Sequence, residues 1–215
     1  MTIVFDPCDF HPESFRIRPQ RMTLSGPVSL SGVQQVQSMP GGLWVAEFGA
    51  ARLNSRERLL AWRQFVARAR GGSREFEVLL QDKRQGPWPV AAGRRVYTPG
   101  GIVCTVTANA ELNDTVIGIT MTSGGTPEPG QHFSITGPDL GKRLYRLVEV
   151  TDLTGGLYTV EIETGLREDI TAATAVNFET PGCTMRVANP DEIEPPVRLG
   201  KQASSSVVFV ESFSE

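Results

Sequence analysis

Apolar residues fall three and four apart between Asn54 and Gly72, where Leu59, Trp62, Phe65, Val66 and Ala69 line one face of a helix. The spacing predicts a helix over 55–71. Asn54 is placed to cap its first turn, Glu57 three positions on to close a capping box, and Gly71-Gly72 to supply a left-handed stop. Each large apolar side chain gains about 1.5–3 kcal/mol on burial, so this face needs a sheet to lie on.

Elsewhere the period is two. Alternation marks strands over 15–18, 22–25 and 28–31, with Gly26-Pro27 as punctuation and Gly32 as a stop. Pro40-Gly41-Gly42 reads as a turn. Residues 43–48 are apolar on both faces, the mark of a strand held between a sheet and another layer, which the helix supplies. Residues 75–80 alternate again, as a strand returning beneath the helix. Gln85-Gly86-Pro87-Trp88-Pro89 holds too much proline to continue it and is expected to be an irregular, exposed connector.

Residues 102–108, 115–122, 132–136, 144–152 and 157–163 read as five strands between Gly, Pro, Asn and Asp turns, which suits a small closed barrel of the OB type. A strand over 184–188, a turn at 189–192, an extended stretch over 194–196 and an alternating strand over 204–213 follow. In the last, Val207, Phe209 and Glu211 face one way and Val208, Val210 and Ser212 the other.

Charge separates the same regions. Lys and Arg outnumber Asp and Glu by 14 to 8 in residues 1–96, and are outnumbered 11 to 4 in 97–182 and 5 to 3 in 183–215. Residues 97–182 also hold 15 of the 18 threonines, which favours strands there. An acidic, Thr-rich unit thus interrupts a basic one. The expected fold is mainly β: a β-sandwich with one covering helix, built from residues 1–96 together with 183–215, and an OB-like barrel inserted over 97–182.

The 40% apolar content is that of a globular protein, and Gly 22 with Pro 15 calls for many turns. The net charge of −3 argues against direct nucleic-acid binding. Cys8, Cys104 and Cys183 are odd in number and widely spaced, beside strand ends or loops, so disulfides are not expected. The first residues show no signal-peptide pattern and no window nears the ~18 apolar residues of a membrane span, so a protein made in the cytosol without membrane insertion is expected.

Candidate chemistry is sparse. Cys8 and His11 have half the spacing of a zinc site, and His11 and His132 are the two histidines of the chain. Glu161 and Glu163 share a strand face about 7 Å apart, which a solvated barrel surface explains. Gly124-Gly125 and Gly155-Gly156 read as hairpin turns rather than phosphate loops. No residue is assigned to catalysis, to a cofactor or to a metal. Arg56, Arg63 and Arg70 form one stripe along the predicted helix, beside Leu60 and Ala67, and these five are candidates for subunit contact.

The β-rich N-terminal segment, the strand Leu43-Trp44-Val45-Ala46-Glu47-Phe48, the helix ending Phe65-Val66-Ala67-Arg68-Ala69-Arg70-Gly71 and a Phe76-containing strand running to Asp82 together resemble the distal tail proteins of long-tailed, siphovirus-like bacteriophages and gene transfer agents. The inserted barrel is similar to the OB-like domain that some of these carry. The resemblance implies a structural protein of the virion, not an enzyme, without a cofactor. It implies a homo-hexameric ring at the tail tip, made in the host bacterial cytoplasm. Such a ring joins the tail tube protein to the baseplate hub protein and to a tail fibre or receptor-binding protein. Another tail or baseplate-hub subunit, or an oligosaccharide-binding module using the barrel, are the alternatives; the barrel's few aromatic residues weigh against sugar stacking.

Overall fold

Strands that bury one face dominate the computed structural model, which describes residues 3–28, 32, 34–80, 85–195 and 203–213. In chain order the elements are β1 (Ile3–Phe5), β2 (Ser14–Val28), β3 (Gln34–Leu53), α1 (Arg56–Ala69), β4 (Glu75–Leu79), β5 (Val90–Ala91), β6 (Arg94–Arg95), β7 (Val103–Val106) and β8 (Val116–Ser123). There follow β9 (His132–Thr136), β10 (Lys142–Asp152), β11 (Leu157–Glu163), β12 (Ala175–Asn177), β13 (Gly182–Val187) and β14 (Ala203–Glu211). Six strands join in one sheet, β1-β4-β13-β14-β3-β2, antiparallel except for β1 beside β4. Six others close a barrel, β10-β11-β8-β7-β12-β9, and β5 and β6 form a small hairpin. The chain is mainly β with one covering helix and a small closed barrel, as its periodicity predicts.

The covered face of the sheet carries Trp44, Ala46 and Phe48 of β3, Phe76 and Val78 of β4, Met185 and Val187 of β13, and Val207 and Phe209 of β14. Trp62, Phe65 and Ala69 of α1 are buried against it, with Leu59 and Val66 half-buried at the margin. Phe65 is the plug, its ring 5.0 Å from Phe5 and 5.3 Å from Phe76. The Trp62 indole N–H donates to the Ile193 carbonyl at 2.8 Å, tying the helix to the segment before β14. Inside the barrel, Ile117, Ile119, Phe133, Ile135, Tyr145, Leu147, Val160 and Ile162 make a second core.

The helix starts one residue later and ends two residues earlier than expected. Ser55, not Asn54, is the N-cap: its hydroxyl accepts from Arg58 N at 3.2 Å, while the Asn54 side chain accepts from the Arg58 guanidinium. Ser and Asn cap equally well, so composition does not choose between them. Glu57 is then one position short of a capping box. At the other end Arg70 is already left-handed at φ 47°, ahead of Gly71 and Gly72. Gly72 is required for a further reason, since a Cβ there would meet the Val187 carbonyl at 2.7 Å.

Pro40-Gly41-Gly42 is not a turn but lies within β3, and Gly26-Pro27 does not interrupt β2. Gln20 pairs with Leu43 and Met22 with Met39, so three residues oppose one, and a second shift falls between Ser25 and Val28. Bulges absorb glycine and a proline that lacks an N–H. In 43–48 only Trp44, Ala46 and Phe48 are fully buried; the opposite face is half-buried.

The 85–89 connector is irregular but not exposed. Gly86, Pro87 and Trp88 are buried, Trp88 lying edge-on to Tyr97 at 4.6 Å, and Gly125 N donates to the Pro87 carbonyl at 2.7 Å. Gly124-Gly125 is accordingly no hairpin turn, because β8 pairs with β7 and β11 rather than with the strand that follows it. The barrel has six strands, not five; β12 is the short one that closes it between β7 and β9. Cys104 and Cys183 are buried, each the second residue of its strand, β7 and β13, and Cys8 is exposed. Parts of three expected stretches, 29–31, the run to Asp82 and Pro196, lie outside the described residues.

Candidate functional site

Every second side chain of β14 points into the core, and the alternation that buries Ser205, Val207 and Phe209 carries Glu211 inward with them. A carboxylate there must be matched, because an unpaired buried charge is costly. Its Oε2 accepts from Trp44 N at 3.1 Å and from Arg167 Nη2 at 3.0 Å, and Oε1 lies 3.6 Å from Arg143 Nη1. The side chains of Glu211, Arg143 and Arg167 are 0%, 2% and 10% exposed.

The two guanidinium groups have further partners. Arg143 donates to the Ser212 carbonyl at 2.7 Å and to the Leu140 carbonyl at 2.6 Å, and Arg167 donates to the Gly42 carbonyl. The Phe213 ring lies against both, 4.5 Å from Arg143 and 5.6 Å from Arg167. Arg143 comes from barrel strand β10 and Arg167 from the loop after β11, whereas Glu211, Trp44 and Gly42 belong to the sheet. The barrel is therefore seated on the body through one carboxylate gripped by two arginines.

Neighbouring contacts extend the seat. Lys142 pairs with Glu77 of β4, and Leu144 packs into the body's core. His132 is half-buried: its ring stands edge-on to Trp44 at 5.7 Å, and its backbone N–H donates to Gln85 Oε1 at 2.8 Å. In the adjoining β9, Thr136, Ile135 and Ser134 pair with Lys142, Arg143 and Leu144, and His132 pairs with Arg146. Three of the four basic residues in 97–182 thus face carboxylates of the body, and the fourth, Arg146, pairs with Glu163 on the barrel itself.

Burial dictates the protonation of Cys183 and Tyr145 beside this seat and of Cys104 within the barrel. It pushes the Cys104 thiol up to about 12 and raises Cys183 further, with the Glu211 charge adding to the effect. The Tyr145 hydroxyl is also raised by burial, against a hydrogen bond from Arg167 N and the Arg167 charge. Both thiols are protonated at neutral pH, and a protonated thiol is a poor nucleophile. The site is built for adhesion between two parts of the chain.

Of the residues singled out in the sequence, Arg56, Leu60, Arg63, Ala67 and Arg70 are all exposed on the outer side of α1 and its C-cap. His11 and Cys8 lie at the turn after β1, away from the seat that holds His132. Glu161 is exposed and Glu163 is engaged by Arg146. The Glu211 cluster is what sequence reasoning misses, although the inward phase of Glu211 is visible in β14. Among the described residues no helix is long and apolar enough to cross a membrane. No protein-family model matches the chain, and no curated protein matches it.

Proposed function

We propose that this chain is a structural virion protein, the subunit of a hexameric distal tail ring that joins a phage tail tube to the baseplate hub and to fibres or receptor-binding proteins. The observation that supports this reading best is the reach of the β2–β3 ribbon. β14 accompanies β3 only from Leu53 to Val45, so among the described residues 34–44 pair with β2 alone. That stretch extends roughly 35 Å at about 3.3 Å per residue. A two-stranded ribbon is marginal by itself, and both ribbon and sheet edge gain from a neighbour that pairs with or covers them. Copies related by a closed rotation supply that neighbour at every position.

The seat at Glu211 fits the same role, since an outward barrel transmits load only if it is fixed to the ring. The test is negative-stain microscopy and mass photometry of the purified full chain over a range of concentration and salt. Six-fold rings bearing outward knobs are expected. A strict monomer, together with tail particles whose tips fail to bind a specific antibody, overturns the reading.

A further inference from the structure

The outer side of α1 presents Arg56, Leu60 and Arg63, all exposed, with Leu60 keeping 46% of its surface in water. Arg56 and Arg63 stand two turns apart, about 10.5 Å along the axis, with Leu60 between them. Among the described residues neither arginine has an ion-pair partner. A large aliphatic side chain flanked by two guanidinium groups is a surface suited to an acidic neighbour with an apolar spot.

The barrel carries such a surface. Glu149 of β10 pairs with Glu161 of β11, and Glu161 with Val116 of β8, so the three form one row across adjacent strands. All are exposed, Val116 at 54%. Two carboxylates directly opposite each other repel, and the one arginine on this side of the barrel, Arg146, is engaged by Glu163. The two carboxylates stand one inter-strand spacing apart, about 5 Å, and the long side chains of Arg56 and Arg63 can converge on them from either side of Leu60.

We infer that the Arg56–Leu60–Arg63 face of one copy docks on the Glu149–Glu161–Val116 row of a second copy, the two arginines converging on the two carboxylates. This rests on the ring reading. The contact joins two different surfaces, so it is head-to-tail and propagates around a ring.

The test uses the full chain and two charge reversals, R56E/R63E and E149K/E161K, followed by sedimentation velocity at about 50 mM and about 500 mM salt. Wild type is expected to associate, roughly tenfold more weakly at the higher salt. Each variant alone is expected to stay monomeric at concentrations where wild type associates, with an unchanged melting curve. An equimolar mixture of the two regains association, because every contact between unlike copies then joins opposite charges. Association of either variant alone to the wild-type extent overturns the contact while leaving a ring through the strand edges standing. Wild type that is monomeric at every salt and concentration overturns the contact too, and tip labelling then judges the ring separately. Association lost in both variants but not regained on mixing also overturns it.

Discussion

Arg143 of the barrel and Glu211 of the sheet stand 3.6 Å apart with both side chains out of water, and Arg167 approaches the same carboxylate from its other oxygen at 3.0 Å. Such a cluster is held together by mutual need: removing one partner strands the others. Glu211→Gln leaves two buried guanidinium groups facing a neutral amide, and a loss of about 3–5 kcal/mol is expected from urea unfolding. An unchanged midpoint would mean that the cluster is solvated in solution.

Phe213 is half in water yet touches both arginines. Phe213→Ala is expected to cost about 0.5–2 kcal/mol, the range of a cation–π contact from exposed to desolvated. A double-mutant cycle with Arg167→Met isolates that share. A coupling energy indistinguishable from zero would leave the ring as packing alone.

The cap assignment separates two adjacent residues. Ser55→Ala is expected to lower stability by about 1 kcal/mol, and Asn54→Ala, which loses only a bond to an exposed side chain, by under about 0.5 kcal/mol. Thermal melts of the two variants side by side decide it; the reverse order would return the cap to Asn54.

Alkaline pH acts through the buried thiols. In the unfolded chain a thiol ionises near ~8.5, whereas Cys104 and Cys183 hold their protons well above that when folded. The folded state then binds more protons, so stability is full below about pH 8.5 and falls as pH rises toward the folded values. The slope approaches about 1.4 kcal/mol per pH unit for each thiol. Melts between about pH 8 and 11 measure it, and C104A/C183A is expected to show a shallower decline whatever its starting stability. Equal slopes would contradict the burial of these thiols.

Periodicity carries α1, β9 and β11 nearly to their residue, because one face of each is buried along its length. It fails where length or context decides. β12 has three residues, too few to show a period. Proline and glycine mark bulges and turns with one composition, and only the pairing across the β2–β3 ribbon tells that Pro40-Gly41-Gly42 is a bulge. Trp88 looks like part of a proline-rich loop until Gly125 and Tyr97 come up against it. Glu211 sits in legible phase on β14, but nothing local to Arg143 or Arg167 announces that they meet it. Their encounter is set by the way the barrel lands on the sheet, which is a long-range outcome.

The order of the sheet also fixes an order of events. β13 and β14 lie at its centre, between the β1-β4 pair on one side and the β3-β2 ribbon on the other. A chain emerging from the ribosome therefore releases both flanks early and cannot join them until residues past the barrel arrive. The barrel strands, all between Val103 and Asn177, are closer in sequence and can close first. The folded barrel then arrives with Arg143 already positioned, and the final strand, inserting last, delivers Glu211 to it. Joining the sheet and locking the barrel to it are one step, so an incomplete sheet and an unseated barrel go together.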